Sequence, residues 1–280
     1  MNDLELQPAL TYDLPEVVEL MNRGFADYFV KIELNVAAFL GMVRHDGVDL
    51  AASRVVLRDG QSAGVALIAR RGWTSRLAGM AIVPEARGCG VGRWLMDQLI
   101  AEARTRGERA MVLEVIEGNT AAVRLYETCG FRVLRRLVSY VMPGAEAAVA
   151  EGSLQEIDLR ELARLVVVCG LPDLPWQISG ETLVQMGPPN RAYQMGDAYV
   201  AISNPDAPHI ALRTVLVRPE GRRQGQATHL LRAVMAAYPG KTWHVPAFCP
   251  QEFGPLFEGL GFEREPLAQL QMALDLASRR

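Results

Sequence analysis

The chain has 280 residues, which exceeds the usual size of one domain, so two domains of similar size are expected. Half of the residues are hydrophobic and 22% are charged, the ordinary composition of a globular protein with buried cores. The net charge of −3 provides no basic surface of the kind that nucleic acids require, which excludes nucleic acid as a general partner.

The first half of the chain predicts two helices followed by alternating strands and helices. Asp13 and Glu16 have the spacing of a capping box, which predicts a helix to about Arg23. Asp59-Gly60 is a hairpin signal, and Gly107 is a helix stop. The later elements, in chain order, are a helix over 35–44, strands over 50–57, 62–69 and 77–83, a helix over 93–105, a strand over 110–116, a short helix from the cap Asn119 to Gly130, and final strands over 131–142.

The alanine-rich segment 143–152 has the composition of a linker. After it, the chain opens with a predicted helix over 154–168 and then repeats the order strand, loop, helix, strand, helix and strand. We therefore predict an N-terminal catalytic domain over residues 1–142, a linker over 143–152 and a C-terminal domain over 153–280.

Two short segments occur once in each half of the chain. Residues 84–92 (PEARGCGVG) correspond without gaps to residues 219–227 (PEGRRQGQA), and each segment precedes an amphipathic helix. Further along, residues 125–131 (LYETCGF) correspond to residues 256–262 (LFEGLGF) at nearly the same separation. Two ordered landmarks at one spacing indicate an internal duplication.

The four cysteines are far apart, and no Cys or His pair has the spacing of a metal or redox motif. We therefore expect no metal and a reducing, cytoplasmic location. The start of the chain is acidic, unlike a signal peptide, and the longest apolar run, 165–171, is too short to cross a bilayer. These features predict a soluble protein without a membrane partner, and they leave oligomerisation open.

Residues 87–92 (RGCGVG) join a predicted strand to a predicted helix. Glycines at such a place let the main chain turn tightly, so that several N–H groups and the helix N-terminus face one spot. A pyrophosphate is the natural ligand of this turn. Dinucleotide folds use similar turns, but their fingerprint requires a small residue where this chain has Arg93, and the two copies share only Arg-x-x-Gly-x-Gly/Ala.

This shared element after a Val-x-Pro strand end, followed by Asn, Leu-Tyr and Gly-Phe, resembles the GNAT superfamily of acyltransferases. The tandem arrangement is similar to that of mycothiol synthase. The resemblance implies a mixed α/β (α+β) fold of two GNAT-like units, each a twisted, mostly antiparallel sheet flanked by helices, with central parallel strands that splay to admit coenzyme A. It implies that pantetheine pairs with the strand before the turn and that the turn holds the pyrophosphate. By position, the implied coenzyme-binding residues are Ile82, Val83, Arg87, Gly88, Cys89, Gly90, Val91, Gly92, Arg93 and Asn119.

Acyl transfer from a thioester to an amine requires a base for the ammonium, polarisation of the carbonyl and a proton for the thiolate. The resemblance implies that Tyr126 is the general acid and that a main-chain N–H near Ile82 polarises the carbonyl. Glu114 interrupts an apolar strand, in a context similar to the protein N-terminal acetyltransferases that modify ribosomal proteins, and it is the candidate base, acting through water. A surface glutamate and a core tyrosine are the alternative interpretations.

The second copy departs from the first at each of these positions. Phe257 corresponds to Tyr126, Val245 to Glu114 and Pro250 to Asn119. The neighbouring His244 lies on the opposite face by strand alternation, and we interpret it as structural. The C-terminal unit is therefore predicted to be degenerate in catalysis and retained for packing, acceptor binding or a regulatory coenzyme site.

The sequence thus predicts an N-acetyltransferase that transfers an acetyl group from acetyl-CoA to a primary amine, of a small molecule or a peptide, in a ternary complex. Tyr28 and Phe29, between the first two helices, are candidates for the acceptor pocket, with core packing as the alternative. Two other functions remain open. Unchanged turnover in Tyr126→Phe would favour a non-catalytic acyl-CoA-binding sensor or interaction protein, and affinity for NAD without affinity for coenzyme A would favour an oxidoreductase.

Overall fold

The computed structural model describes residues 3–144 and 153–277. The chain divides into two compact units, one formed by residues 1–134 with 270–280 and the other by residues 135–269. This division differs from the predicted ranges, because residues 135–142 belong to the second unit and residues 270–280 belong to the first. From residue 145 onward, the predicted linker 143–152 lies outside the described residues.

Helices and strands alternate along most of the chain. Those up to residue 142 are β1 (Leu4–Pro8), α1 (Leu14–Gly24), α2 (Val36–Asp46), β2 (Arg54–Arg58), β3 (Gln61–Arg71), β4 (Thr74–Ile82), α3 (Val91–Thr105), β5 (Ala110–Ile116), α4 (Thr120–Thr128) and β6 (Arg132–Met142). Those that follow are β7 (Gln155–Ile157), α5 (Leu159–Cys169), α6 (Gly180–Leu183), β8 (Arg191–Met195), β9 (Ala198–Ile202), β10 (His209–Val217), α7 (Gln226–Ala237), β11 (Thr242–Pro250), α8 (Gly254–Glu258) and β12 (Glu263–Asp275).

The first unit is built on a sheet in the order β1-β2-β3-β4-β5, with the second half of β12 next to β5. Its first three strand pairs are antiparallel, and β4–β5 is parallel. Strand β3 is buried without interruption from Ala63 to Ala69, so both of its faces are covered. Helix α1 packs against β3 and β4, and α3 packs against β4 with Leu95 and Leu99 fully buried.

The second unit repeats this arrangement, with strands in the order β6-β11-β10-β9-β8-β7. Its one parallel pair is β10–β11, and the pairs β6–β11, β9–β10, β8–β9 and β7–β8 are antiparallel. Trp243 of β11 and Leu230 of α7 are fully buried in its core. The same strand order in both units confirms the predicted α/β fold with a central parallel pair in each.

Local signals gave most element boundaries correctly. The capping box of Asp13 is present, since its N–H donates to Glu16 at 3.0 Å, and Asn35 caps α2. Strand β2 begins at Arg54 instead of residue 50, because the Asp49 side chain accepts the N–H groups of Ala51 and Ala52 and makes a turn there. None of the described helices combines the length and the apolarity needed to cross a membrane.

Candidate active site

The parallel strands β4 and β5 separate partway along their length. Their pairing begins at Thr74 with Ala110 and ends at Leu77 with Leu113. The separation coincides with a bulge at Ala78, where the register between β3 and β4 shifts by one residue, and a bulge bends the strand that contains it. Residues 75–77 are buried, whereas 78–80 and 82 are partly exposed. The edge of β4 beyond Leu77 therefore forms one wall of a groove, as the predicted splay requires.

Main-chain directions at the end of β4 distinguish Ile82 from Val83. The N–H of Val83 donates to Ala63 O at 3.0 Å, its C=O accepts from Ala86 N at 3.0 Å, and its side chain is buried. Because hydrogen-bonding directions alternate along a strand, the N–H of Ile82 points away from β3 towards the groove. Ile82 can therefore pair with pantetheine through its N–H group, whereas the main-chain polar groups of Val83 are already used within the protein.

The turn between β4 and α3 has the conformation that its glycines predict. Gly88 and Gly90 have φ values of 73° and 84°, in the left-handed region. A Cβ atom at either position would meet no heavy atom within 4 Å, so glycine is required by the main-chain conformation and not by crowding. The first bond of the helix runs from Trp94 N to Gly90 O, which leaves the N–H groups of residues 91–93 without acceptors in the helix. They provide the positive end at which anions bind.

Substitution of Gly90 by alanine should weaken coenzyme A binding about tenfold and lower the free energy of unfolding by about 1–2 kcal/mol, because an L-residue resists this conformation. Gly72→Ala is the matched control, since Gly72 also has a positive φ of 53° and open space around its Cβ position. Urea unfolding should show a similar loss of stability in both variants. Calorimetric titration should show weaker coenzyme A binding in Gly90→Ala alone. Equal coenzyme affinities would contradict the assignment of the turn.

The arginine of the repeated motif has a structural role that the sequence interpretation missed. Arg87 donates from Nε to Ile82 O at 2.9 Å and from Nη2 to Gly24 O at 2.8 Å. Arg222 in the second unit donates in the same way to Val217 O and Cys169 O. In each unit the arginine ties the end of a central strand to the end of the first helix. Arg87 therefore holds the turn in place, and its contact with a pyrophosphate stays a prediction.

The other predicted residues of the turn differ in what they present. Cys89 is exposed, and its thiol is directed to Arg87 O at 3.4 Å. Arg93 extends along α3 to Asp97, with Nε 2.9 Å from a carboxylate oxygen. The Val91 side chain is buried. A Cβ on Gly92 would lie 3.5 Å from Leu125 and 3.8 Å from Met80, so the first turn of α3, the open edge of β4 and helix α4 meet at one place.

Tyr126 lies on α4 directly after Leu125, so its main chain is near this junction, while its side chain points to a different side of the helix. Its side chain is buried and packs against Phe131, with ring centroids 5.9 Å apart. Burial, followed by the charges of Tyr28 and Cys129, raises the pKa of Tyr126 above its ordinary value of 10.0. The phenol therefore stays protonated at neutral and moderately alkaline pH, which is the state a proton donor needs.

The candidate acceptor residues lie against the connection between β5 and α4. Tyr28 is half-buried, and burial raises its pKa, an effect that a hydrogen bond with Asn119 partly offsets. Phe29 is 59% exposed, and its ring lies 3.7 Å from a Cβ placed on Gly118. Asn119 caps α4 by accepting the N–H of Ala122 at 3.2 Å. The structure thus brings Tyr28, Phe29 and Asn119 together beside Tyr126.

Glu114 lies at the point where β4 and β5 separate, in an ion-pair cluster that the sequence interpretation missed. Its Oε2 is 2.7 Å from Arg76 Nε, and Arg76 Nη1 is 2.9 Å from Asp46 Oδ2. The Glu114 side chain is 2% exposed, although the residue as a whole is partly exposed, so its accessible atoms are mainly those of the main chain. Burial acts to lower the pKa of Arg76, but the charges and hydrogen bonds of Glu114 and Asp46 outweigh this effect and raise the pKa.

This geometry does not favour the predicted role of Glu114 as general base. The Glu114 side chain is almost fully covered and one of its two carboxylate oxygens is held by Arg76, so an amine or a water has little access to it. The cluster instead joins α2, β4 and β5 at the start of the groove. Arginine inside the apolar strand Thr74–Ile82 was the sequence signal for a partner of Glu114.

The second unit has the architecture of the site without its chemical groups. Phe257 packs between Tyr140 and Phe262 where the first unit has Tyr126. Val245 is buried, and His244 pairs with Glu265 at 2.8 Å, in agreement with its interpretation as structural. Among the described residues, no cluster of three His, Cys, Asp or Glu side chains could hold a metal ion.

The splayed parallel strands and the glycine turn at the N-terminus of α3 are the features expected of the GNAT fold. Residues 15–131 match the model of the acetyltransferase (GNAT) family. The match lies within the first unit and covers less than half of the chain. The tandem GNAT protein from the clavulanic acid biosynthesis pathway is similar over 99% of this chain and 100% of that one, with a TM-score of 0.65 and 18% identity, which shows the fold.

Two characterised relatives match shorter segments. Mycothiol acetyltransferase of Thermobispora bispora is 54% identical over 48 residues, which is 17% of this chain and 16% of that protein. The ribosomal protein bS18-alanine N-acetyltransferase of Salmonella typhimurium is 39% identical over 75 residues, which is 26% of this chain and 51% of that protein. The matches thus span about half of these relatives or less.

Proposed function

We propose that the first unit transfers an acetyl group from acetyl-CoA to a primary amine. The observation that carries this proposal is the convergence of the open β4 edge, the first turn of α3 and helix α4, which contains Tyr126. A thioester on a long diphosphate carrier needs such an arrangement. The turn takes the pyrophosphate, the edge of β4 pairs with pantetheine, and the thioester reaches Tyr126. A small-molecule amine and a peptide amine both fit the open position of Phe29.

In the proposed reaction the amine attacks the thioester carbonyl directly while both substrates are bound. The carbonyl oxygen gains negative charge, which the N–H of Ile82 stabilises from the open edge of β4. The carbon–sulfur bond then breaks, the amide forms, and Tyr126 donates its proton or a strong hydrogen bond to the leaving thiolate. The ammonium loses one proton to solvent before the attack. The nitrogen loses a second proton as the amide forms, and a proton from solvent restores the Tyr126 phenol. Glu114 acts with Arg76 as a positioning residue.

The activity should rise with pH and then stay level to about pH 10, because only the neutral amine attacks and Tyr126 remains protonated in that range. Because the pKa of Tyr126 is raised above 10.0, the protonated form that donates the proton is lost only above that pH. Initial rates from pH 6 to 10 at saturating acetyl-CoA would measure this profile. A decline that begins near pH 8 would contradict the assignment of Tyr126 as the donor.

The function is tested by thiol release from acetyl-CoA with a panel of amines that includes amino sugars, polyamines and peptides with free N-termini. At least one class should give thiol release and an N-acetylated product by mass spectrometry. Coenzyme binding without transfer to any amine would favour the sensor function.

A further inference from the structure

The second unit contains a cavity of about 300 Å³ between β10 and β11. The pairing of these strands ends at Ala211 with His244, so they separate as β4 and β5 do in the first unit. The walls are almost entirely apolar. Their larger side chains are Leu216, Val245, Phe248, Phe253, Leu256 and Phe257.

The cavity carries positive charge without a compensating carboxylate. Its charged lining residues are Arg213 and Arg222, and no acidic residue of the described chain lines it. The guanidinium of Arg222 donates to two main-chain oxygens. Nε of Arg213, by contrast, is shielded from solvent and has no hydrogen-bond partner among the described residues. Arg213 is partly exposed, but a guanidinium nitrogen that is shielded from solvent beside apolar walls is unfavourable unless an acceptor joins it.

The fold does not require a charged residue at the position of Arg213. Arg213 is the extra residue of the bulge in β10, where the register with β9 shifts between Leu212 and Thr214. The corresponding bulge of the first unit contains Ala78 and is formed without a charge. Burial lowers the pKa of Arg213, because the apolar surroundings destabilise its charged form. An anion in the cavity would recover that free energy.

We propose that this cavity binds a small carboxylate with an apolar body, whose head group pairs with Arg213 and whose hydrocarbon part lies along β10 towards Val217. At about 30 Å³ for each non-hydrogen atom, the cavity accommodates about ten such atoms, which is the size of octanoate. The strand from Arg213 to Val217 extends about 13 Å, long enough for the same chain. The site is independent of the proposed acetyl transfer.

The test is calorimetric titration of the full chain with octanoate, octan-1-ol and octylamine. Octanoate should bind and the other two should bind at least about tenfold more weakly, since only the carboxylate pairs with the cation. Arg213→Met should reduce octanoate affinity by a similar factor, and Arg213→Lys should reduce it less. Arg232→Met, on the exposed face of α7, is the matched control and should bind octanoate as the unchanged chain does.

A second variant locates the ligand. Ala227→Leu extends a partly exposed lining residue of α7 into the cavity and should weaken octanoate binding while the thermal midpoint is retained. Equal affinities for octanoate and octan-1-ol, or undiminished binding to Arg213→Met, would overturn the proposal. So would binding of coenzyme A that displaces octanoate and is insensitive to Arg213→Met, which would show that the cavity is a coenzyme site.

Discussion

Tyr126→Phe should slow the turnover of acetyl transfer about 100- to 1,000-fold and leave the dissociation constant of coenzyme A unchanged. The hydroxyl group is the only part removed, and the aromatic ring keeps its packing against Phe131. Without the phenol, the thiolate leaves with no proton donor at the junction of α3, β4 and α4. Steady-state kinetics with the best amine of the panel, together with calorimetric titration of coenzyme A, would measure both effects.

Tyr12→Phe is the control for this experiment. The hydroxyl of Tyr12 belongs to the first unit and donates to Gln7 Oε1 at 2.8 Å, before the start of α1 and away from β4 and β5 in sequence. Its loss should leave the turnover rate unchanged. If Tyr126→Phe also retained full turnover, Tyr126 would not be the acid, and the interpretation of the first unit as a sensor of acyl-CoA would gain support.

Arg76→Met should lower the free energy of unfolding by about 3–5 kcal/mol, because it leaves two carboxylates close together in a buried place without their cation. Glu114 and Asp46 lose their common partner at the point where the groove opens. Urea unfolding should show a lower midpoint, and the thermal midpoint should fall by about 10 °C. Arg23→Met, which breaks an exposed ion pair with Glu85, should cost no more than about 1 kcal/mol.

Glu114→Gln separates the two roles considered for Glu114. Glutamine can still accept a hydrogen bond from Arg76, and Asp46 remains to balance the charge. We expect a loss of about 1–3 kcal/mol in stability, while the turnover rate of the folded enzyme stays within about threefold of the unchanged chain. If the turnover rate instead fell by about 100-fold or more while the variant remained folded, the result would identify Glu114 as the general base.

Features that depend on residues close together in the sequence were predictable. The glycine turn, the cap at Asn119 and strand β5 over residues 110–116 are where the sequence places them, because capping, positive φ and burial are local preferences. The helix predicted over residues 154–168 begins later, since Gln155–Ile157 pair with β8 and Asp158 caps α5. That correction depends on a partner strand distant in sequence.

Other parts of the site depend on contacts that no local pattern contains. The bulge at Ala78 is visible only in the register of β4 against β3, and it decides where the groove opens. Arg76, which pairs with Glu114, lies on another strand, and Asp46, which also pairs with Arg76, lies on a helix. The main-chain partners of Arg87 and Val83 were likewise not predictable, because they depend on which main-chain groups face each other across elements.

The division of the last strand has a consequence for biosynthesis. Residues 270–277 belong to the unit that contains the candidate site, where the N–H of Leu276 donates to Arg109 O at 2.8 Å. While the ribosome is still adding the second half of the chain, β5 therefore lacks its neighbour and has an open edge, which is a hazard for aggregation. The first unit is therefore completed only after residues 270–277 have been synthesised, although the candidate site residues lie between Tyr28 and Tyr126.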